Sequence, residues 1–518
     1  MTSILITLNK TLGEPDPSVR PIGVGEVMRR IVGKTISWAL SDDIQEAGGS
    51  LQVSTGLKGG AEAAIHAMKN IFELENTDGV ILVDAENAFN KLNRQVALHN
   101  MQYICPSFAT VLINTYRIPA RLFIAGGGEI MSAEGTTQGD TLAMQFYGLS
   151  TNPLIQTLNY SITNVFQVWL ADDATGAGQF HDLKEWWDKV SVEGRRYGYH
   201  VKPSKSWLII KDESRLEEVE TIFRNTTIQI TTSGKRHLGA ALGTEEFKTE
   251  YMSDKVDMWC KTLNSLVNIA KIQPHAAYAA YLHAEQHKYT YFLRTVPGIS
   301  ELMEPLDNII MNDFIPALFG ENISPNEREL FSLPIKDGGL GLRIWKNTAD
   351  SSYDTSKSIT KPLQQHIIQQ NMDLPSISDV LEAKHEAIGK FKEVEKQNNT
   401  SIVDTQTPKM KRNIEQLSEP GASSWLSARP LKEHGFDLNK SEFQDALNLR
   451  YDKPLRNLPS KCPCTKDFSI THAMDCHKGG FVNKRHDSIR NFEAGLLKKV
   501  TNDVQIEPML QPCNGFPV

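Results

Sequence analysis

Two apolar runs in the first half of the chain end in acid. The run Val165 to Leu170 (VFQVWL) predicts a strand that passes through Ala171 into Asp172 and Asp173 and breaks at Gly176. The run Gly79 to Val83 (GVILV) predicts a buried strand that delivers Asp84 into a helix start reaching Asn90. If the two strands are neighbours, three carboxylates converge. Before them, Ile22, Val27, Ile31, Ile36 and Leu40 predict a helix after Gly25 that carries Arg29, Arg30 and Lys34. Gln52 to Phe72 predicts a glycine-rich turn and then a helix, and the turn lacks the GxxxxGK[ST] spacing of a P-loop. Tyr103 to Ile124 reads as helical pieces and a strand, followed by a turn at AGGGE. His237 to Gly243 reads as a glycine-punctuated hairpin.

Beyond Glu250 the apolar period approaches that of a helix, through Trp259–Ala270, Ala276–Val296 and Pro305–Phe319. Residues 345–375 are polar and are expected to be loosely ordered. Val380 to Lys396 predicts a charged helix, Gln397 to Lys409 a linker, and a small module begins near Gly421.

A chain of 518 residues has room for several buried cores, and 40% hydrophobic with 23% charged residues is an ordinary globular composition. No apolar run approaches the ~18 residues that span a bilayer, and the start carries no secretory signal, so an intracellular protein is expected. Bulk charge does not announce a nucleic-acid partner. The net charge is −7, and residues 1–250 hold 23 Lys and Arg against 29 Asp and Glu. A groove can still concentrate what basic residues there are. Six cysteines, three of them between Cys462 and Cys476, suit a reducing compartment with one metal site better than a disulfide framework.

Three carboxylates a few ångström apart repel, and divalent cations with hard oxygen ligands are the usual remedy. Two such ions roughly 3.5–4 Å apart clamp the attacking and leaving oxygens of an in-line phosphoryl transfer. An isolated Asp-Asp pair is most often a solvated turn, but this pair has company. EGTTQGDTLA (Glu134–Ala143) lies between the acidic runs, and GYHVKPSKSWLII (Gly198–Ile210) and HLGAALGT (His237–Thr244) follow them. In that order the segments resemble the palm of a reverse transcriptase, specifically that of non-LTR retrotransposons.

The resemblance implies a right-hand polymerase: an α/β palm around an antiparallel sheet, fingers before and within it over residues 1–250, and a helical thumb over 251–345. A helical linker over 346–420 and a C-terminal module over 421–518 would follow. It implies RNA-directed DNA synthesis from an RNA template, a DNA primer and deoxynucleoside triphosphates, in the nucleus for an active element. Asp84, Asp172 and Asp173 would hold two Mg²⁺ ions, and Arg20 would reach the triphosphate. Phe89 would exclude a ribose 2′-hydroxyl, Gln138, Gly139 and Asp140 would face the template–nucleotide pair, and Lys205 would protonate the departing pyrophosphate. Three positions depart from the family pattern: Asn90 replaces an aspartate, Thr141 a proline and Leu170 an aromatic residue. The departures at Leu170 and Thr141, with the short N-terminus and the abrupt end of the chain, leave a second expectation standing: a decayed or domesticated element that binds nucleic acid without polymerising.

In the C-terminal module Cys462, Cys464, His472 and Cys476 are spaced C-x-C-x7-H-x3-C, a closed donor set for structural Zn²⁺. Residues 461–500 hold 8 Lys and Arg against 4 Asp and Glu. The knuckle and the following RHDSIRNFEAGLLKKV resemble what precedes the restriction-like endonuclease of site-specific non-LTR elements. Glu493 and a strand at Val504 would be its remnants, and too few metal ligands follow for DNA cleavage. Lys484, Arg485, Arg490, Lys498 and Lys499 would still meet phosphates.

Overall fold

The strands of this computed structural model gather into three sheets. They are β1 (Thr2–Asn9), β2 (Val19–Gly25), β3 (Gly79–Val83), β4 (Ala120–Ile124), β5 (Glu129–Ser132), β6 (Phe166–Leu170), β7 (Asp173–Gly178), β8 (Trp207–Ile210), β9 (Gln229–Thr231), β10 (Gly234–His237) and β11 (Ala240–Gly243). The structure describes residues 2–9, 19–124, 126–456 and 458–507, in two units, Met1–Lys440 and Ser441–Val518.

The central sheet has the order β6-β7-β3-β8-β9. Both acidic runs are strands of it, and β3 and β7 are hydrogen-bonded neighbours with Val83 opposite Ala174. Its pairings are antiparallel, as expected of the palm, except that β9 joins β8 in parallel. Val80, Ile81 and Val83 are buried, which is why β3 reads as an unbroken apolar run rather than an alternating one. On β7 the small residues admit a close neighbour: a Cβ on Gly176 would stand 2.9 Å from the Trp186 ring of the helix Phe180–Glu193. The helices Gly60–Glu73 and Ala143–Ser161 bury their apolar faces in the same core.

A second sheet, β2-β1-β4-β5, pairs β1 and β4 in parallel, so residues at the start of the chain meet a segment more than a hundred positions later. The helix Val27–Ala39 follows β2 as expected and buries only Gly33. The reason is contact: a Cβ there would lie 2.0 Å from the Thr141 Oγ1. β10 and β11 form the predicted hairpin around Leu238 and Gly239, both at positive φ.

After it comes a helical region. Thr244 caps the helix Glu245–Ala270 by accepting from the Phe247 N–H at 3.2 Å, with Glu245 and Glu246 complementing the first turn. Trp259 of this helix, Tyr289 and Trp345 pack in series, the first pair tilted at 4.9 Å and the second edge-to-face at 5.2 Å between ring centroids. Two expectations are corrected here. Residues 345–375 are not loose: the helices Trp345–Ile359 and Lys361–Ile368 occupy most of them, and Trp345, Ala349, Tyr353, Leu363 and Ile367 are buried at helical spacing. The 397–409 linker is helical as well, continuing the helix Ile377–Asp404 and opening the helix Pro408–Leu417 behind a Thr407 cap.

In the unit Ser441–Val518 the buried residues are few, chiefly Phe443, Leu447 and Tyr451 with Cys462, Ala473, Cys476 and Ala494. The helices Ile470–Asp475 and Phe481–Leu497 follow the cysteine hairpin. Val504 to Glu507 forms no strand, contrary to expectation; four residues with a single apolar alternation find no partner strand among the described residues. Residues 508–518 lie outside the described residues. Among the described residues no helix is long and apolar enough to cross a membrane.

Candidate active site

The acidic turn is the tip of the β6–β7 hairpin. Leu170 pairs with Asp173, leaving Ala171 and Asp172 as a two-residue loop. Ala171 takes φ 56°, a left-handed conformation that L-residues adopt at a cost. Asp84 leaves the end of the adjacent β3, its backbone N–H donating to Ser206 Oγ at 3.1 Å and its carbonyl accepting from Lys202 N–H at 2.7 Å. Adjacent strand ends therefore deliver the carboxylates to one edge of the sheet.

They line an open cleft of about 750 Å³ together with Phe89, Gln138, Gly139, Lys202 and Lys205. Eight residues singled out from sequence thus line it: Asp84, Asp172, Asp173, Phe89, Gln138, Gly139, Asp140 and Lys205. Arg20 belongs to β2, two positions before Ile22 at the cleft wall, and its side chain lies outside the described residues.

Electrostatics favour a cation among the aspartates. The Asp173 carboxyl is raised to about 6, first by the protein mass around it and then by the charges of Asp172 and Asp84, with Arg236 opposing. Three carboxylate groups with this mutual repulsion suit Mg²⁺, a hard ion bound through carboxylate oxygens.

The cleft walls are braced from outside. Phe89 stacks on Tyr147 at 4.6 Å and 22°. The Tyr147 hydroxyl is buried, and burial followed by the charges of Asp172 and Asp173 holds its ionisation far above the ordinary range. Gly139 has φ 100°, and a Cβ there would meet the Gly23 carbonyl at 2.6 Å, while the Gln138 carbonyl accepts from Gly23 N–H at 2.7 Å. Only glycine lets β2 approach this closely. Asp140, expected to offer polar contacts toward a ligand, is instead engaged within the protein. Its carboxylate accepts from Arg29 at 2.5 Å and from the Tyr116 hydroxyl at 2.9 Å, tying the Val27–Ala39 helix to the cleft wall.

Several bracing residues were not legible in the sequence. Arg94 is buried, and its guanidinium donates to the carbonyls of Gly135, Ser132 and Glu134 at 3.0, 2.8 and 2.7 Å, shaping the loop that leads to Gln138. The Tyr199 hydroxyl donates to the Asp172 carbonyl at 2.8 Å. Buried His237 meets Thr175 at 3.1 Å, joining the β10–β11 hairpin to β7, and Tyr251 holds the Gly239 carbonyl at that hairpin's tip. The partners lie 12 to 62 residues away, so no local pattern signals these roles.

A second donor set lies in the unit Ser441–Val518. The ligand atoms of Cys462, Cys464, His472 and Cys476 all lie within 4.8 Å of one another, with the Cys462 and Cys476 sulfurs 3.6 Å apart and Cys464 Sγ 3.0 Å from His472 Nε2. Ser469 caps the helix that presents His472, accepting from its N–H at 3.1 Å. Three soft thiols and one imidazole, collected by a tight hairpin and a helix start, could hold a metal ion, and the donor chemistry is that of closed Zn²⁺ sites.

No protein-family description and no curated protein matches the chain. Among solved structures, it is similar to telomerase from Candida albicans in complex with a TWJ fragment of telomeric RNA. The identity is 13%, the TM-score 0.41, and the match covers 77% of this chain and 66% of that one. Apo telomerase from Candida tropicalis gives 10% identity and a TM-score of 0.36 over 77% and 68% of the two chains. Against a C-terminally truncated form the identity is 13% and the TM-score 0.29, and the matched part is 40% of this chain and 49%, about half, of that one. Likeness this distant leaves the functional reading to the cleft itself.

Proposed function

We propose that this chain is an RNA-directed DNA polymerase of the reverse-transcriptase type, from a non-LTR retrotransposon-like element. The observation that carries the reading is the meeting of Asp84, Asp172 and Asp173 in one cleft with Phe89, Gln138, Gly139 and Lys205. Asp84, Asp172 and Asp173 would hold two Mg²⁺ ions, which supply charge neutralisation to the attacking 3′-hydroxyl and the departing pyrophosphate. The remaining work belongs to side chains. Lys205, exposed at the cleft rim, donates a proton to the leaving pyrophosphate. Phe89, backed by Tyr147, closes the space under the sugar, so a ribose 2′-hydroxyl is buried unpaired at ~1–3 kcal/mol. Gly139 lets backbone lie against the template–nucleotide pair, and Arg20 reaches the triphosphate with a permanently charged planar fork. The order of the motifs supports the retrotransposon origin, and the Cys462–Cys476 set is read as a structural Zn²⁺ knuckle.

Primer extension on poly(rA)/oligo(dT) with Mg²⁺ tests the reading. The parental protein extends, and Asp84→Asn or Asp172→Asn abolishes extension while the thermal unfolding midpoint stays in place. Extension by either variant at the parental rate refutes the assignment. A folded parental protein that binds primer–template and never extends it supports the decayed-element reading, which the Leu170 substitution beside the acidic turn favours.

A further inference from the structure

The two-residue loop that carries Asp172 is closed by the Leu170–Asp173 pair and is further held by side chains. Ala171 sits at φ 56° with its Cβ buried, in a conformation glycine would hold without strain. Both of its backbone polar groups are bonded to one side chain. The Ala171 N–H donates to Gln52 Oε1 at 2.9 Å, and Gln52 Nε2 donates to the Ala171 carbonyl at 3.3 Å.

Gln52 is itself fully buried and fixed from every side. Its Nε2 also donates to Thr151 Oγ1 at 3.0 Å, its Oε1 accepts from Ser54 Oγ at 2.8 Å, and its backbone carbonyl accepts from Thr55 Oγ1 at 3.1 Å. The flanking peptides dock on β6: Trp169 N–H donates to the Leu51 carbonyl at 2.7 Å, and Val53 N–H donates to the Trp169 carbonyl at 2.8 Å. A buried amide with its donors and acceptor satisfied this way is a rigid template.

We propose that Gln52 is a positioning residue for the acidic turn: its amide clamps the Ala171 peptide groups and thereby sets where the Asp172 and Asp173 carboxylates stand. This rests on the cleft being the reaction site. Reacting groups held about 1 Å out of place lose on the order of 100-fold in rate, so the clamp has a kinetic signature.

The test uses Gln52→Met, which keeps the length of the side chain and removes both hydrogen-bonding groups, and the double variant Gln52→Met/Ala171→Gly. Two readouts run in parallel on the full chain: single-turnover primer extension, and Mn²⁺ binding followed by electron paramagnetic resonance without nucleic acid. Gln52→Met is expected to extend about 10- to 100-fold more slowly per folded molecule, with the primer–template Kd unchanged and the Mn²⁺ affinity weakened. Glycine at 171 reaches the same φ unaided, so the double variant is expected to recover part of both losses. A merely structural role would lower the folded fraction and leave Mn²⁺ affinity per folded molecule where it was, and that result overturns the proposal. So does a Gln52→Met protein with parental rate and affinity, or a double variant no better than the single. If the parental protein binds Mn²⁺ through Asp84 and Asp172 yet never extends, the polymerase reading falls and the metal readout still decides the clamp. If it binds none, both fall.

Discussion

At the scale of single residues the cleft is a set of side chains whose chemistry is fixed by what backs them. Phe89 is the clearest case, because its ring lies on Tyr147 at a 22° angle and cannot swing away without opening a hole. Phe89→Ala removes the floor beneath the sugar, and the expected outcome is a drop of about 10-fold or more in deoxy-over-ribo selectivity. Competing dATP and ATP incorporation on the same template measures it, and unchanged selectivity would return Phe89 to an ordinary packing role. Residues of this kind were legible because strand, turn and acid follow one another within a few positions, as in Leu170 to Asp173. Gln52, Arg94 and Tyr199 were not. A lone glutamine or arginine carries no spacing signal, and the meaning of Arg94 lies in carbonyls some forty positions later.

Among the elements, the joint between the helices Gly60–Glu73, Gln286–Thr295 and Trp345–Ile359 is polar where a core joint is usually apolar. His66 Nε2 meets Ser356 Oγ at 3.1 Å, Ser356 donates to Glu62 at 3.3 Å, and Arg294 pairs with Glu62 at 2.9 Å. Burial, then the charges of Lys357 and Lys69, push the His66 imidazole down to about 4 from an ordinary 6.5. Between those values the unfolded chain binds a proton that the folded chain refuses. The stability His66 contributes by staying neutral is therefore complete above pH 6.5 and is lost as pH falls toward 4, an effect on the order of 3 kcal/mol. Denaturant unfolding across that window should show a pH slope about one proton smaller in His66→Gln than in the parental chain. An equal slope would mean the imidazole titrates normally. The same joint explains why sequence misjudged residues 345–375: Trp345, Ala349, Tyr353 and Ser356 do line one face of the helix, but the polar residues around that face outweigh it in composition. The parallel β8–β9 pairing was equally invisible, since register and direction between strands are set by the intervening helix and not by either strand's composition.

For the whole molecule, the two units differ in how they are held. The unit Met1–Lys440 packs its central sheet and the helices against it around a large core, whereas among the described residues of Ser441–Val518 only a handful of side chains are buried, two of which are Cys462 and Cys476. So few apolar contacts fall short of offsetting the ordering entropy of a segment this size, which is the regime where a structural metal supplies the deficit. Binding free energy at closed zinc sites, about 10–16 kcal/mol near neutral pH, is ample for that. Elemental analysis is expected to find about one zinc per chain. Changing Cys462 and Cys464 to serine together should remove it and, because the hairpin and the His472 helix are joined through the same four ligands, should melt the helices Ile470–Asp475 and Phe481–Leu497 as well. Limited proteolysis reads this directly, through new cleavage within 461–500 in the double variant and in chelator-treated parental protein. Metal-free chain that resists cleavage there would show that the cysteines pack as small apolar residues, and that the C-x-C hairpin needs no ion to hold its shape.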